Sequence, residues 1–581
     1  MFDALFTTTT EYKKLSHALS GKGACALFGL PASGRAQVYA ALCRQLDKPL
    51  CIVTPGEAEA TRFAADLNTL GIPAAVFPAR DYVLRPIEGT AREYEYRRLA
   101  VLGELVGGRL RAVAVPAEAL TQFTTPKEDF CANTRTLHAG DTLLRDDLLA
   151  ALFGAGYTRR AQVDGPGQFS VRGDIVDIFA PDQKMPVRME FWGDEIDTLH
   201  TFDLTTQRRE DAIDKFYLSP AREVLFGKPA DAAEQLRAFL AKQRGKKKTV
   251  MADCMAADLD LLDGGAVPVN MDKYLAVRYP HPATVLDYFD DPILVAEEPA
   301  SIREADRATA YRRGEELKSL ILDGVLCAGL DNLYADPSYL WSKTGHYRTI
   351  CAENFARSMP DQPLKDIINA PAHTLPAWNG EVAGLLEDLK PLCDAGYTVT
   401  LLAGTDRAAA GLARDLRDKG ILVTTDAAAA PAAGLVQVLA GHLSAGCEFP
   451  FAKYALLTGR AFGETSSQKK KRKKAKDALN SLTEITPGDL VVHQNHGIGR
   501  YAGIQRMAVQ GVTKDYLRIE YDKKDVLYVP VTQLDLLSRY TAPGDSENVK
   551  LSRLGGAEWT KTRKKVRAAT CLLYTSPSPR D

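Results

Sequence analysis

Between residues 23 and 120 the apolar positions fall into two alternating textures. Ala24–Phe28, Leu50–Val53 and Ala112–Val115 are short apolar runs, whereas Ala36–Leu46 and Ala58–Leu70 carry apolar residues at helical spacing. Strands alternating with helices predict a parallel sheet covered by helices. From Gly156 to Arg209 the pattern shifts to strands separated by short turns: Gln168–Arg172, Ile175–Phe179, Val187–Trp192 and Glu195–Leu199. The breaks, Arg172-Gly173-Asp174 and Gly193-Asp194, suit tight turns, so the segment reads as a small insert rich in antiparallel pairing. The α/β texture returns after Phe216, with strands at Pro292–Ala296 and Thr398–Ala403 and a helix from Arg407 to Lys419. Further on, Leu490–His493, Tyr516–Tyr521 and Val526–Val529 are short, closely spaced strands of the kind that build a small β-barrel.

The expected fold class is therefore multidomain α/β with a β-rich insert and a C-terminal barrel. The segments are an α/β domain at 1–125, the insert at 126–215, a continuation of the first domain at 216–355, and a small α/β domain of unknown role at 364–463. Residues 464–483 are read as a linker, because the run Lys469–Lys474 would repel itself in a compact structure. The barrel follows at 484–545 and the start of a basic helix at 546–570. Ser576-Pro577-Ser578-Pro579 cannot continue that helix, and 571–581 is read as a non-native tail similar to translated sequencing-adapter read-through.

Composition adds bounds. A chain of 581 residues exceeds a single core and suggests about four domains. With 45% hydrophobic and 25% charged residues it matches folded soluble domains, and at a net charge of −1 any grip on nucleic acid needs a local basic patch. No basic region with a following apolar stretch opens the chain, and no apolar run is long enough to cross a bilayer, so a cytoplasmic protein without a membrane partner is expected. Its ten cysteines are scattered, which predicts reduced thiols rather than a zinc ribbon or a redox pair.

Gly29-Leu30-Pro31-Ala32-Ser33-Gly34-Arg35-Ala36 has the spacing of a phosphate-binding loop between strand and helix. Arg35 stands where a lysine would reach the phosphates, and Ala36 where a hydroxyl would hold Mg²⁺. Gly29, Gly34, Arg35 and Ala36 are thus expected to form an inactive loop, and Glu297-Glu298 is assigned no catalysis. No further Cys, His or carboxylate cluster completes a site with His493 and His496, so they are expected to be structural, with no metal site.

Two regions resemble a known family. Gly156–Arg160, Gln168–Phe179 and Arg188–Ile196 resemble the domain that UvrB and the bacterial transcription-repair coupling factors (Mfd) share for contacting UvrA. The inactive phosphate loop points to the coupling factors. The resemblance implies UvrA contact through Arg172 first, then Arg160, Arg159 and Phe179. Pro487–His493, His496–Tyr501, Asp515-Tyr516-Leu517 and Leu527–Val531 resemble the polymerase-interacting domain shared with CarD-type regulators. That implies a strand edge offered to the RNA polymerase β subunit by Ile504, Gln505, Arg506, Met507, Ala508 and Val509, with Met507 as the apolar contact. Leu554–Trp559 resembles the entry into a linker helix leading to a motor. The family implies an ATP-driven translocase that displaces stalled polymerase and recruits excision repair. Its motor, with ATP, Mg²⁺ and the main double-stranded DNA contacts, would lie beyond this sequence, leaving a non-enzymatic fragment without cofactors. Two alternatives remain open: a CarD-like regulator fused to unrelated α/β domains, and a UvrB-like helicase.

Overall fold

The computed structural model describes residues 3–86, 92–355, 363–378, 382–430, 432–459, 486–493, 496–509, 512–522, 525–530, 537–540 and 551–553. The Lys469–Lys474 run, Leu554–Trp559 and the 571–581 tail lie outside them, as do the side chains of 506–509.

The first module is a seven-stranded, all-parallel sheet. Its order is Leu364–Asn369, Gly23–Phe28, Arg348–Glu353, Ile293–Glu297, Leu50–Thr54, Ala112–Pro116 and Ala74–Val76. The central strands read as unbroken apolar runs because both faces are covered. Along Gly23–Phe28, Cys25 and Leu27 enter the core on one face, while Ala24, Ala26 and Phe28 enter the core on the other. Helices Ala32–Leu46 and Glu57–Thr69 pack on the first face, and Glu93–Val106 on the second.

The boundary expected at Leu364 needs correction. Leu364–Asn369 pairs in parallel with Gly23–Phe28 at the edge of the first sheet instead of opening the next one. Ile367 is 63% exposed and Ile368 buried, an edge-strand pattern that does not reveal which sheet the strand joins. The following mixed six-stranded sheet runs His373–Leu375, Gly446–Phe449, Tyr454–Thr458, Thr398–Leu402, Val436–Leu439 and Val423–Thr424. It shares a core with the first module, since Cys447, Phe449, Tyr454 and Leu456 cluster with Phe6, Leu27 and Val38.

The insert is a six-stranded sheet in the order Arg209–Ala212, Glu195–Phe202, Val187–Trp192, Ile175–Phe179, Gln168–Arg172 and Thr158–Arg159. Only the last pair is parallel. Two-residue loops join Arg172 to Ile175 and Trp192 to Glu195, each with glycine first at positive φ, Gly173 at 62° and Gly193 at 63°. The insert reaches past 215: Arg135–His138 pairs with Lys215–Leu218 across its base, and Leu137, Phe216, Leu218 and Ala221 belong to its core.

The C-terminal unit is an antiparallel sheet ordered Val526–Pro530, Val512–Glu520, Gly497–Val509, Leu490–His493 and Leu537–Arg539. Among the described residues it is an open five-stranded sheet; no pairing joins its two edges into the expected barrel. Gly499 is needed for packing more than for a turn, since a Cβ there would collide with Ile519 and press on Tyr521. Among the described residues no helix is long and apolar enough to cross a membrane.

Candidate interaction surfaces

The phosphate-loop segment runs from the end of Gly23–Phe28 into the helix Ala32–Leu46. Arg35 is 2% exposed, and its guanidinium is held by Glu298 Oε1 at 2.9 and 3.0 Å and by Glu297 at 3.2 Å. Burial disfavours its charge, but Glu297, Tyr39 and Glu298 together hold its pKa above the ordinary value. The Tyr39 hydroxyl donates to the other Glu297 oxygen. The first helical turn is roofed as well: a Cβ on Gly34 would lie 2.9 Å from Cys447 Sγ and 3.4 Å from the Phe449 ring. At Gly29, φ is +87° and a Cβ would press on Asn369 and Ala370 at 3.0–3.1 Å. Thus Arg35 and the turn that carries it are enclosed by the chain's own ion pairs, by Leu364–Asn369 and by Gly446–Phe449.

The insert has two faces. Phe169, Val176, Ile178, Met189 and Phe191 form its core against the helix Arg145–Gly154. Strand alternation sends Arg172, Asp177, Arg188, Glu190 and Trp192 to the opposite face. There Asp177 is fully buried, and Arg188 grips it with two bonds of 2.7 and 2.9 Å. Arg188 also donates to the Gln207 carbonyl at 3.0 Å and stacks over Phe202. Arg172 donates to the same Asp177 carboxylate while its side chain stays 46% exposed, and Arg209 pairs with Glu190. Two residues along from Glu190, Trp192 is 82% exposed. A large aromatic surface beside fixed guanidinium groups is the composition of an interface anchor.

The predicted contact residues do not lie together. Arg159 pairs with Phe169 at one end of Gln168–Arg172 and Arg172 with Ile175 at the other, about 10 Å apart at ~3.3 Å per residue. Arg159 and Arg160 instead line a cleft of about 640 Å³ with Arg92, Tyr96, Arg222 and Phe226. In its wall Glu95 binds Arg92 at 2.8 Å and Arg222 at 3.4 Å. Burial works against the Glu95 charge, yet Arg80, Arg92 and Arg222 hold its carboxyl far below the usual range. Phe179 needs correction as a contact residue: it is 7% exposed and packs with Val163 and Phe202. Trp192 is the surface residue that sequence reading missed; its position at the solvent end of an alternating strand, before a Gly-Asp turn, was the available signal.

In the C-terminal sheet, Leu490–His493 pairs on one side with Leu537–Arg539 and on the other with just the first part of the long strand, Gly497–Arg500. Bonds of 2.7 Å from Gly488 N–H to the Tyr501 carbonyl and 2.8 Å from Tyr501 N–H to the Asp489 carbonyl extend that side to Tyr501. From Gly503 to Val509 the described pairing is with residues 512–518 alone, so the second edge of this stretch has no strand beside it among the described residues. Ile504 is 44% exposed there.

Residues 136–224 match the UvrB interaction domain family, and residues 485–541 match the CarD-like/TRCF RID domain family. The transcription-repair-coupling factor of Bacillus subtilis (strain 168) is 28% identical over 555 residues, 93% of this chain and 47% of that protein. The chain is similar to the transcription-repair-coupling factors over most of its length. Those of Staphylococcus haemolyticus (28%) and Staphylococcus aureus strain MRSA252 (27%) align over the same 93% of the chain. The chain spans about half the length, 47%, of the coupling factors it matches. Both surfaces above fall inside the two matched domains.

The histidines also depart from expectation. Glu93, at the start of its helix and some 400 residues away in sequence, meets His493 and His496, so a third ligand-type side chain is present after all. Burial, then the neighbouring His496, lowers the His493 pKa to about 4.

Proposed function

We propose that this chain is the docking portion of a transcription-repair-coupling factor: the insert engages UvrA, and the C-terminal sheet engages RNA polymerase through its β subunit. The observation that carries the reading is that both domain families match one chain, each on a sheet with its own core. For UvrA, Arg172 and Trp192 form the leading contact surface and the Arg159–Arg160 cleft a second one. Guanidinium groups suit carboxylates on a partner because they bind them bidentately. For polymerase, the edge from Ile504 to Val509, unpaired among the described residues, supplies backbone hydrogen bonds, with Met507 as apolar anchor.

ATP-driven movement on DNA, with its Mg²⁺, belongs in this reading to the part of the relatives that the chain does not match. Its own phosphate loop is inert, because Arg35 is consumed by Glu297 and Glu298 and Ala36 offers no hydroxyl to a metal. Sustained Mg²⁺-dependent ATP turnover, abolished by Arg35→Ala, would overturn that part.

Capture of β-subunit fragments and of UvrA by the full chain tests the partners. Wild type should retain both, and Met507→Arg should weaken β capture about tenfold, ~1.4 kcal/mol, while UvrA is kept. Failure of the wild type to retain either one removes that assignment.

A further inference from the structure

Three ligand-type side chains from the two ends of the chain converge. Glu93 opens the helix Glu93–Val106 of the first module, His493 ends the Leu490–His493 strand, and His496 lies in the turn that follows. One ligand atom from each lies within 4.8 Å of the other two, and His496 Nε2 stands 3.5 Å from a Glu93 carboxylate oxygen. The imidazole rings are 4.6 Å apart at their centroids, tilted by 45°. A tetrahedral Zn²⁺ with bonds of ~2.0–2.1 Å sets its ligand atoms about 3.3 Å from one another, so side-chain rotation alone can close the set.

A second observation points to a ligand at the same place. Tyr521 is 2% exposed, and its hydroxyl has no hydrogen-bond partner among the described residues. Its Cζ lies beside Gly499, two positions from Gly497, which pairs directly with His493. A buried hydroxyl left without a partner is costly, and water in the fourth position of a three-ligand metal would supply one.

We infer that Glu93, His493 and His496 bind a divalent transition-metal cation of the Zn²⁺ class, which clamps the C-terminal sheet to the first module. Two imidazoles and one carboxylate suit zinc, whereas Mg²⁺ and Ca²⁺ call for an all-oxygen shell. The ligands come from either side of residues 464–483, so the cation is a reversible tie across that segment. Its loss frees the sheet that carries the polymerase-type edge. This inference does not depend on which partner that edge binds.

The test uses the untagged full chain, stripped with EDTA, dialysed and titrated with Co²⁺ and then Zn²⁺. About one equivalent of Co²⁺ should bind with the visible absorption of a tetrahedral site, displaced by Zn²⁺. His496→Ala and Glu93→Gln, both at partly exposed positions, should each weaken binding at least about tenfold while circular dichroism is unchanged. Zn²⁺ should also compact the stripped wild type in small-angle scattering and leave Glu93→Gln unchanged. No binding by the stripped wild type, or equal affinity in both variants, overturns the site. Binding without compaction overturns the clamp.

Discussion

On the outer face of the insert, Asp177 is wholly buried and holds two guanidinium groups, one buried and one half exposed. Along Ile504–Val509 the groups on offer are backbone N–H and C=O on the side of a long hairpin that has no strand beside it among the described residues. The first surface is built by side chains whose positions are fixed before any partner arrives, which lowers the ordering cost of binding. The second is indifferent to most side chains, because every residue except proline carries the same donor and acceptor. Single substitutions should therefore separate the two surfaces cleanly.

The largest effect should come from Asp177→Ala. Removing the carboxylate strands Arg188, which is 9% exposed, and lost partners of this kind cost about 3–5 kcal/mol. Urea unfolding should show that loss in the insert. A change under about 1 kcal/mol would mean that the guanidinium groups find other partners and that the face is not preorganised.

Trp192→Ala should come next, lowering UvrA affinity by about 2 kcal/mol, roughly thirtyfold, as truncation of an aromatic anchor does. At 82% exposure its removal should leave unfolding unchanged. Calorimetry with wild-type affinity would move the contact surface elsewhere on the insert, with the Arg159–Arg160 cleft as the next place to examine.

Proline at Ile504 and, separately, at Gln505 sharpens the other half of the comparison. Neighbouring residues in an antiparallel ladder point their N–H groups to opposite sides. One of the two prolines should disturb the hairpin with 512–520, and the other should remove an outward donor and reduce β-subunit capture about tenfold in a folded protein. Full capture by both would exclude edge pairing.

The smallest effect is expected of Arg172→Gln. Arg188 keeps Asp177 neutralised, so the fold should hold while UvrA affinity drops a few-fold, about 1 kcal/mol. Charge reversal is a poorer probe, since Arg172→Glu would set a carboxylate against Asp177 and confuse binding with stability.

Much of this was legible in the chain's pattern. Gln168–Arg172, Ile175–Phe179 and Val187–Trp192 follow from alternation and from the glycines that close their turns. The residue types of Arg35 and Ala36 were plain on inspection, but not that Glu297 and Glu298 occupy the guanidinium or that Gly446–Phe449 covers the turn, since both are contacts distant in sequence. Leu364–Asn369 was assigned to the wrong sheet because six alternating residues define a strand and not its neighbour. Glu93 was invisible as a partner of His493 and His496 for the same reason, local pattern being silent about what a fold brings together.

The central claim is that one chain carries two separable docking surfaces, and a three-component assembly tests it most directly. The chain, UvrA and a polymerase β-subunit fragment should co-elute as one complex whose mass, by light scattering, equals one copy of this chain with both partners bound. Trp192→Ala should lose UvrA and keep β, and the edge proline should do the reverse. Partners that exclude one another, or variants that lose both together, would contradict the account.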